Sequence, residues 1–235
     1  MIHALHGNFG LPSDWDAALP PGVPAQAWHL WEIRRHHPEA RTLTGFATWF
    51  NNQVAALTDN GPRILAGYSL GGRLALHVLL DQPELWHRAL ILSTHHGLTH
   101  AAGRIERLTH DARWRGHCLT AAWESVLHVW NTQAVLSGPS QPHAARITEP
   151  WRNEIADAFE GWSLGQQQID PARLGQLPVP GVWMTGTNDP KFCALARSAM
   201  EILPSFHFQT IPQAGHRLLS ESPHAIQSCL KELAT

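Results

Sequence analysis

The sequence predicts an α/β fold with a mostly parallel central sheet, helices on both faces and an inserted helical cap, and three observations lead there. Short apolar runs suited to buried strands alternate with segments of helical period, the pattern of parallel strands joined by covering helices. One of those strands runs straight into a helix through a serine flanked by glycines. Between Gly97 and about Leu177 the strand signals vanish, and the chain turns helical and rich in Arg and Trp. Residues 1–96 then form the first part of a core, 97–177 a helical cap, and 178–235 the second part of the core. The counter-reading takes 97–177 as an ordinary run of sheet-covering helices.

Each element follows from its own stretch. Residues 2–5 make a short strand ending at His6-Gly7, and the aromatic, apolar segment 27–33 is read as the next strand. A helix is expected over 45–57. Strand 63–67 breaks at Ser69, and helical spacing runs over 72–80 until Gln82-Pro83 stops it. Segments 87–92, 181–185 and 206–211 supply the later strands, and 222–233 a closing helix.

Composition narrows the function. The 235 residues are 43% hydrophobic and 15% charged, enough for a sizeable core. Seventeen Lys and Arg against nineteen Asp and Glu give a net charge of −2, which offers no basic field for nucleic acid. No apolar run approaches the roughly 18 residues of a membrane span, and Met1-Ile2-His3 lacks the basic start of a signal peptide, so a cytoplasmic protein without a membrane partner is expected. Cys118, Cys193 and Cys229 are widely spaced and odd in number, which fits free thiols in a reducing compartment. The seventeen histidines show no His-Glu-x-x-His or Cys/His spacing, so no metal site is expected. Trp123, Trp130, Trp151 and Trp162 crowd the middle of the chain, where such side chains fill a core or wall a groove.

The chemistry gathers around Gly67-Tyr68-Ser69-Leu70-Gly71-Gly72, a G-x-S-x-G sequence at a strand-to-helix turn. Small neighbours are needed because the turn strains the serine, whose hydroxyl then stands at a helix N-terminus. After the first strand, His6-Gly7-Asn8-Phe9-Gly10 can present the Asn8 N–H beside that of Leu70, two donors for an oxyanion. Asp189, just past a late strand, is the candidate orienting acid. Asp157 and Asp170 are alternatives, more simply explained as surface or helix-start residues. His216, after Ala214-Gly215 in the loop beyond the last strand, is the candidate base.

In the order Ser69, Asp189, His216 these residues resemble the α/β-hydrolase superfamily, with the usual N-terminal strands reduced. Further blocks carry a closer resemblance: Arg73 after the elbow, His96-Gly97-Leu98, Arg104-Ile105-Glu106-Arg107 with Asp111 and Trp114, Trp130 with Gln133, and Asp189-Pro190-Lys191-Phe192. Together they are similar to the 2-succinyl-6-hydroxy-2,4-cyclohexadiene-1-carboxylate synthase family of menaquinone biosynthesis. That resemblance implies elimination of pyruvate from a polycarboxylate cyclohexene, with the triad used as a base and no cofactor. It implies Arg73, Arg107 and Arg152 as carboxylate-binding residues, and Tyr68 and Trp130 as pocket walls. Asn131 stands where the family tends to carry a tyrosine, and Asn8 where a bulkier apolar residue is typical.

Two other functions compete. A carboxylesterase or carbon–carbon bond hydrolase would share the elbow but need no arginine clamp. A catalytically dead binding protein would need a broken triad, whereas all three residues are present. Replacing Arg107 by Ala is expected to weaken substrate use with little change in folding.

Overall fold

Six strands lie side by side in the computed structural model, which describes residues 1–58, 61–136 and 148–235. They are β1 (Ile2–Leu5), β2 (Ala25–Trp28), β3 (Ile64–Tyr68), β4 (Arg88–Leu92), β5 (Gly181–Gly186) and β6 (Phe206–Ile211), in the order β2-β1-β3-β4-β5-β6. Every neighbouring pair is parallel. Each link between consecutive strands carries at least one helical turn, as parallel pairing requires of its crossovers.

Alternation along the strands divides the core in two. Leu65, Ala89, Ile91 and Trp183 face one apolar cluster, with helices α2 (Leu43–Ala55), α3 (Leu70–Asp81) and α8 (Pro190–Met200). Ile64, Ala66, Leu90, Leu92 and Met184 face the other, against Ile226 and Leu230 of α10 (Pro223–Leu233). Burial on both faces explains why these strands read as continuous apolar runs.

Strand order also locates the site. From β1 the chain steps outward to β2, then returns across β1 to β3 and continues the other way. The carboxyl ends of β1 and β3 therefore flank the point where the order reverses, where open α/β sheets leave a crevice. Asn8 follows β1, and Ser69 follows β3.

One expected element is corrected. The strand read over 27–33 ends at Trp28, and α1 (Leu30–His36) begins two residues later. His29 Nδ1 accepts the Glu32 N–H at 3.3 Å, and His6 Nε2 accepts the Leu30 N–H at 3.1 Å. The second of these comes from 24 residues upstream, so the helix start is supported by a contact that local pattern does not contain.

Between β4 and β5 no strand occurs among the described residues. The segment holds α4 (Ala101–Thr120), α5 (Trp123–Asn131), α6 (Arg152–Gly161) and the short α7 (Pro171–Gly175). Its tryptophans pack as core. Trp114 stacks on Phe159 at 5.9 Å and meets Trp130 edge-on at 5.1 Å, and Phe9 from the β1 loop reaches Trp130 at 4.5 Å. Trp162 is fully buried and its Nε1 donates to the Ala40 carbonyl at 3.0 Å. All three cysteines are buried free thiols, and burial pushes Cys118 up to about 12. No helix among the described residues is long and apolar enough to cross a membrane.

Candidate active site

Ser69 sits between β3 and α3 with φ 53° and ψ −106°, a conformation that costs a non-glycine residue about 1–3 kcal/mol. The surroundings hold it there. Its N–H donates to the Leu92 carbonyl of β4 at 2.9 Å, and its carbonyl accepts the Arg73 N–H of α3 at 3.2 Å. A Cβ at Gly67 would lie 2.5 Å from the Gly71 carbonyl oxygen, and one at Gly71 would collide with the Leu5 carbonyl of β1. The glycines of the motif thus let α3 press against two strands while the turn projects the hydroxyl.

Asp189 lies in the turn after β5. Its Oδ1 accepts the Phe192 N–H at 3.1 Å, capping α8, and its Oδ2 lies 2.8 Å from His216 Nδ1. His216 follows β6, in a turn held by the Gly215 N–H donating to Glu221 Oε2 at 2.5 Å. His216 Nε2 is 3.3 Å from Ser69 Oγ. Acid and imidazole are both buried, so the carboxylate fixes Nδ1 as the donor and leaves Nε2 to accept the serine proton. The Phe192 ring lies 4.4 Å from the imidazole and limits its rotation. Asp157 instead pairs with Arg115 at 3.0 Å, and Asp170 caps α7 through the Ala172 N–H at 2.9 Å.

Leu70 is the first residue of α3, where an N–H has no acceptor within the helix. Asn8 lines the same cavity as Ser69, and its Oδ1 is buried without a hydrogen-bond partner among the described residues. The cavity, of about 370 Å³, is also walled by Phe9, Tyr68, Leu127, Trp130, Leu136 and Leu219. Burial pushes the Tyr68 hydroxyl well above the ordinary phenol range.

The predicted arginines lie elsewhere. None of Arg73, Arg107 and Arg152 is among the residues that line this cavity. Arg73 is buried and donates to the Trp162 carbonyl at 2.7 Å; burial, and then the charge of nearby Arg107, push it down to about 9. Arg107 Nε donates to Asp111 Oδ1 at 2.8 Å, and Asp111 Oδ2 accepts the Ser163 hydroxyl at 2.7 Å. These two arginines are near enough to feel one another, and both act on His95, which burial pushes down to about 3. Arg152 is set apart, donating to the Ala121 carbonyl at 3.1 Å with its guanidinium 5.1 Å over the Trp123 ring. A family pattern gives a position on a helix, whereas the direction a long side chain takes depends on which carbonyls are within reach.

The cavity wall holds residues the sequence reading did not single out as site residues. Arg217, next to His216, lines it together with Asn131, and so do Asp14 and Asp16. The one available signal was the adjacency of Arg217 to the candidate base.

A strained serine elbow, a buried acid–imidazole pair and an all-parallel sheet define a class, and residues 4–226 match the alpha/beta hydrolase family, to which this chain belongs. Within that family the chain is similar to the 2-succinyl-6-hydroxy-2,4-cyclohexadiene-1-carboxylate synthase of Pectobacterium atrosepticum. The two are 32% identical over 231 residues, covering 94% of this chain and 88% of the relative. Among solved structures, MenH from S. aureus superposes with a TM-score of 0.77 at 19% identity, covering 100% of this chain and 94% of that one. The carboxylesterase CesB from Bacillus subtilis does so at 0.69 and 18% identity, covering 99% and 82%. At such identities the two structures support the fold alone.

Proposed function

We propose that this chain is a lyase of menaquinone biosynthesis. It eliminates pyruvate from 2-succinyl-5-enolpyruvyl-6-hydroxy-3-cyclohexene-1-carboxylate to give 2-succinyl-6-hydroxy-2,4-cyclohexadiene-1-carboxylate. The observation that carries the proposal is the Ser69–His216–Asp189 relay opening onto a cavity of small-molecule size, in a chain whose curated relatives bear that synthase name.

Ser69 Oγ, its proton drawn to His216 Nε2, abstracts the acidic ring proton. The electron pair moves through the ring to form the conjugated diene, the carbon–oxygen bond to the enolpyruvyl group breaks, and the departing enolate takes up a proton to leave as pyruvate. Asp189 stabilises the transient imidazolium and holds its tautomer. The N–H groups of Asn8 and Leu70 receive the negative charge that develops on a substrate oxygen. The step moves protons and expels a stable leaving group, so the proposal invokes no cofactor. We assign Tyr68 and Trp130 to the pocket wall, and Arg73 and Arg107 to the electrostatic field behind the site; Arg152 has no part in it. The setting we propose is cytoplasmic, with a small polycarboxylate as the partner and neither nucleic acid nor membrane.

The test is pyruvate release from enzymatically prepared substrate, with the spontaneous rate subtracted, for wild type and Ser69→Ala. Release well above background that collapses in the variant is expected, and release at background from the wild type overturns the assignment. A carboxylesterase is the second reading, favoured by the apolar wall of Phe9, Leu127, Trp130, Leu136 and Leu219. It predicts turnover of neutral p-nitrophenyl esters in place of pyruvate release.

A further inference from the structure

Phe9, Leu127, Trp130, Leu136 and Leu219 of the short helix α9 (Leu218–Glu221) give the cavity that holds Ser69 an apolar wall, and Asn8 interrupts it. Asn8 Oδ1 is buried, with no hydrogen-bond partner among the described residues. Buried polar atoms in folded proteins are almost always paired, so an unpaired acceptor on the wall of a site calls for an explanation. Packing does not supply one. Asn8 stands where the resembled family typically has a bulkier apolar residue, and an apolar side chain there leaves no polar atom to satisfy.

The residues on either side hold the amide in place. The Gly7 carbonyl accepts the Gly10 N–H at 3.1 Å and lies 2.9 Å from His6 Nδ1, and Phe9, at φ 54°, packs its ring 4.5 Å from that of Trp130. A Cβ at Gly7 would lie 3.5 Å from the Ser69 Cβ, so this turn runs in contact with the nucleophile. Asn8 is thus fixed beside Ser69 by its neighbours, while its Oδ1 is committed to no donor among the described residues.

We propose that Asn8 Oδ1 accepts a hydrogen bond from a hydroxyl of the substrate, and that this contact sets a preference for hydroxylated substrates over their deoxy analogues. An amide oxygen accepts and does not donate, so a hydroxyl satisfies it, whereas a carboxylate there meets only lone pairs. An alkyl group in the same place leaves the oxygen buried and unpaired, which is how a site rejects an analogue that lacks the hydroxyl. The contact is distinct from the oxyanion role of the Asn8 N–H, which a residue of any side chain can fill. That the hydroxyl is the one on the cyclohexene ring rests on the pyruvate-eliminating reading; the preference itself rests on the cavity.

The experiment therefore reads hydroxyl preference without the elimination. A sulfonyl fluoride reacts with the activated serine: the Ser69 Oγ–sulfur bond forms, the sulfur–fluorine bond breaks, fluoride leaves and His216 takes the proton. The rate of Ser69 labelling, followed by intact mass, is compared for 3- and 4-(hydroxymethyl)benzenesulfonyl fluoride, each against the ethyl compound of the same position. At one position or both, the hydroxymethyl-to-ethyl ratio should fall about 10- to 100-fold in Asn8→Leu and Asn8→Ala. It should be retained in Asn8→Asp, which keeps an acceptor and has no amide N–H to donate. All three variants keep the backbone N–H, and the intrinsic reactivity of Ser69 cancels in the ratio, so damage to the elbow or the base leaves the ratio unmoved. An unchanged ratio at both positions in Asn8→Leu and Asn8→Ala overturns the proposal. A ratio lost in Asn8→Asp as well makes the amide N–H the contact and overturns the acceptor role. A ratio that behaves as expected, in a protein that releases pyruvate only at background, overturns the synthase reading and keeps Asn8 as the hydroxyl site.

Discussion

Replacing Arg107 by Ala removes a guanidinium whose Nε donates at 2.8 Å to Asp111 Oδ1, and it strands a carboxylate that is only 1% exposed. Breaking a fully buried ion pair costs about 3–5 kcal/mol, whereas an exposed pair contributes at most about 1 kcal/mol. Arg107 lies between these limits, with its side chain 33% exposed. Asp111 also keeps the Ser163 hydroxyl at 2.7 Å, which offsets part of the loss. The expected cost is therefore about 2 kcal/mol, and for a chain of this length that corresponds to a fall of about 4–8 °C in melting temperature. The structure thus makes Arg107→Ala a folding mutation, in contrast to the expectation from sequence that folding would change little. Calorimetry on Arg107→Ala, Asp111→Asn and the double variant tests it. The double variant should lose less than the sum of the singles, because the stranded charge is gone. A melting temperature for Arg107→Ala within 1 °C of wild type would refute the reasoning.

Asp189→Asn keeps an oxygen able to accept the Phe192 N–H, so α8 stays capped, but its amide cannot hold the imidazole in the working tautomer. Its kcat in the proposed pyruvate-releasing reaction should fall by about 10³–10⁴ with the fold retained, and a loss under tenfold would remove Asp189 from the relay. Stability should also depend on two histidines outside the relay. Burial, reinforced by Arg73 and Arg173, pushes His77 down to about 4, and His95 sits at about 3, while an unfolded histidine titrates near 6.5. Below pH 6.5 the unfolded chain takes up protons that the native one refuses, so stability is intact above 6.5 and declines as pH falls toward 4, by about 1–3 kcal/mol for His77. Thermal melts of His77→Gln between pH 7 and 4 should show a shallower decline than wild type, and parallel curves would contradict that cause.

The chain's local patterns carried much of the site. Residues 64–72 hold strand, strained serine and helix within nine positions, because the close approach of α3 to β1 and β3 is written in the glycines themselves. Asp189 and His216 were legible for a related reason: each follows a strand of a parallel sheet, and the ends of parallel strands point to one edge. The segment 27–33 misled because its apolar and aromatic residues suit a strand or a helix equally. His6 decided between them by accepting the Leu30 N–H from another part of the chain.

What the sequence by itself determined is the class of fold, the elbow and the three members of the relay, since each depends on residues within a few positions of one another and on strand ends that parallel pairing aligns. Only the tertiary structure decided the strand order with its reversal between β1 and β3, and where the arginines point. Arg73 turns to the Trp162 carbonyl 89 residues away, and Arg217 crosses to Asn131 86 residues away. A long cationic side chain carries several donors on rotatable bonds and settles where distant segments bring acceptors within hydrogen-bond reach, which no local pattern records.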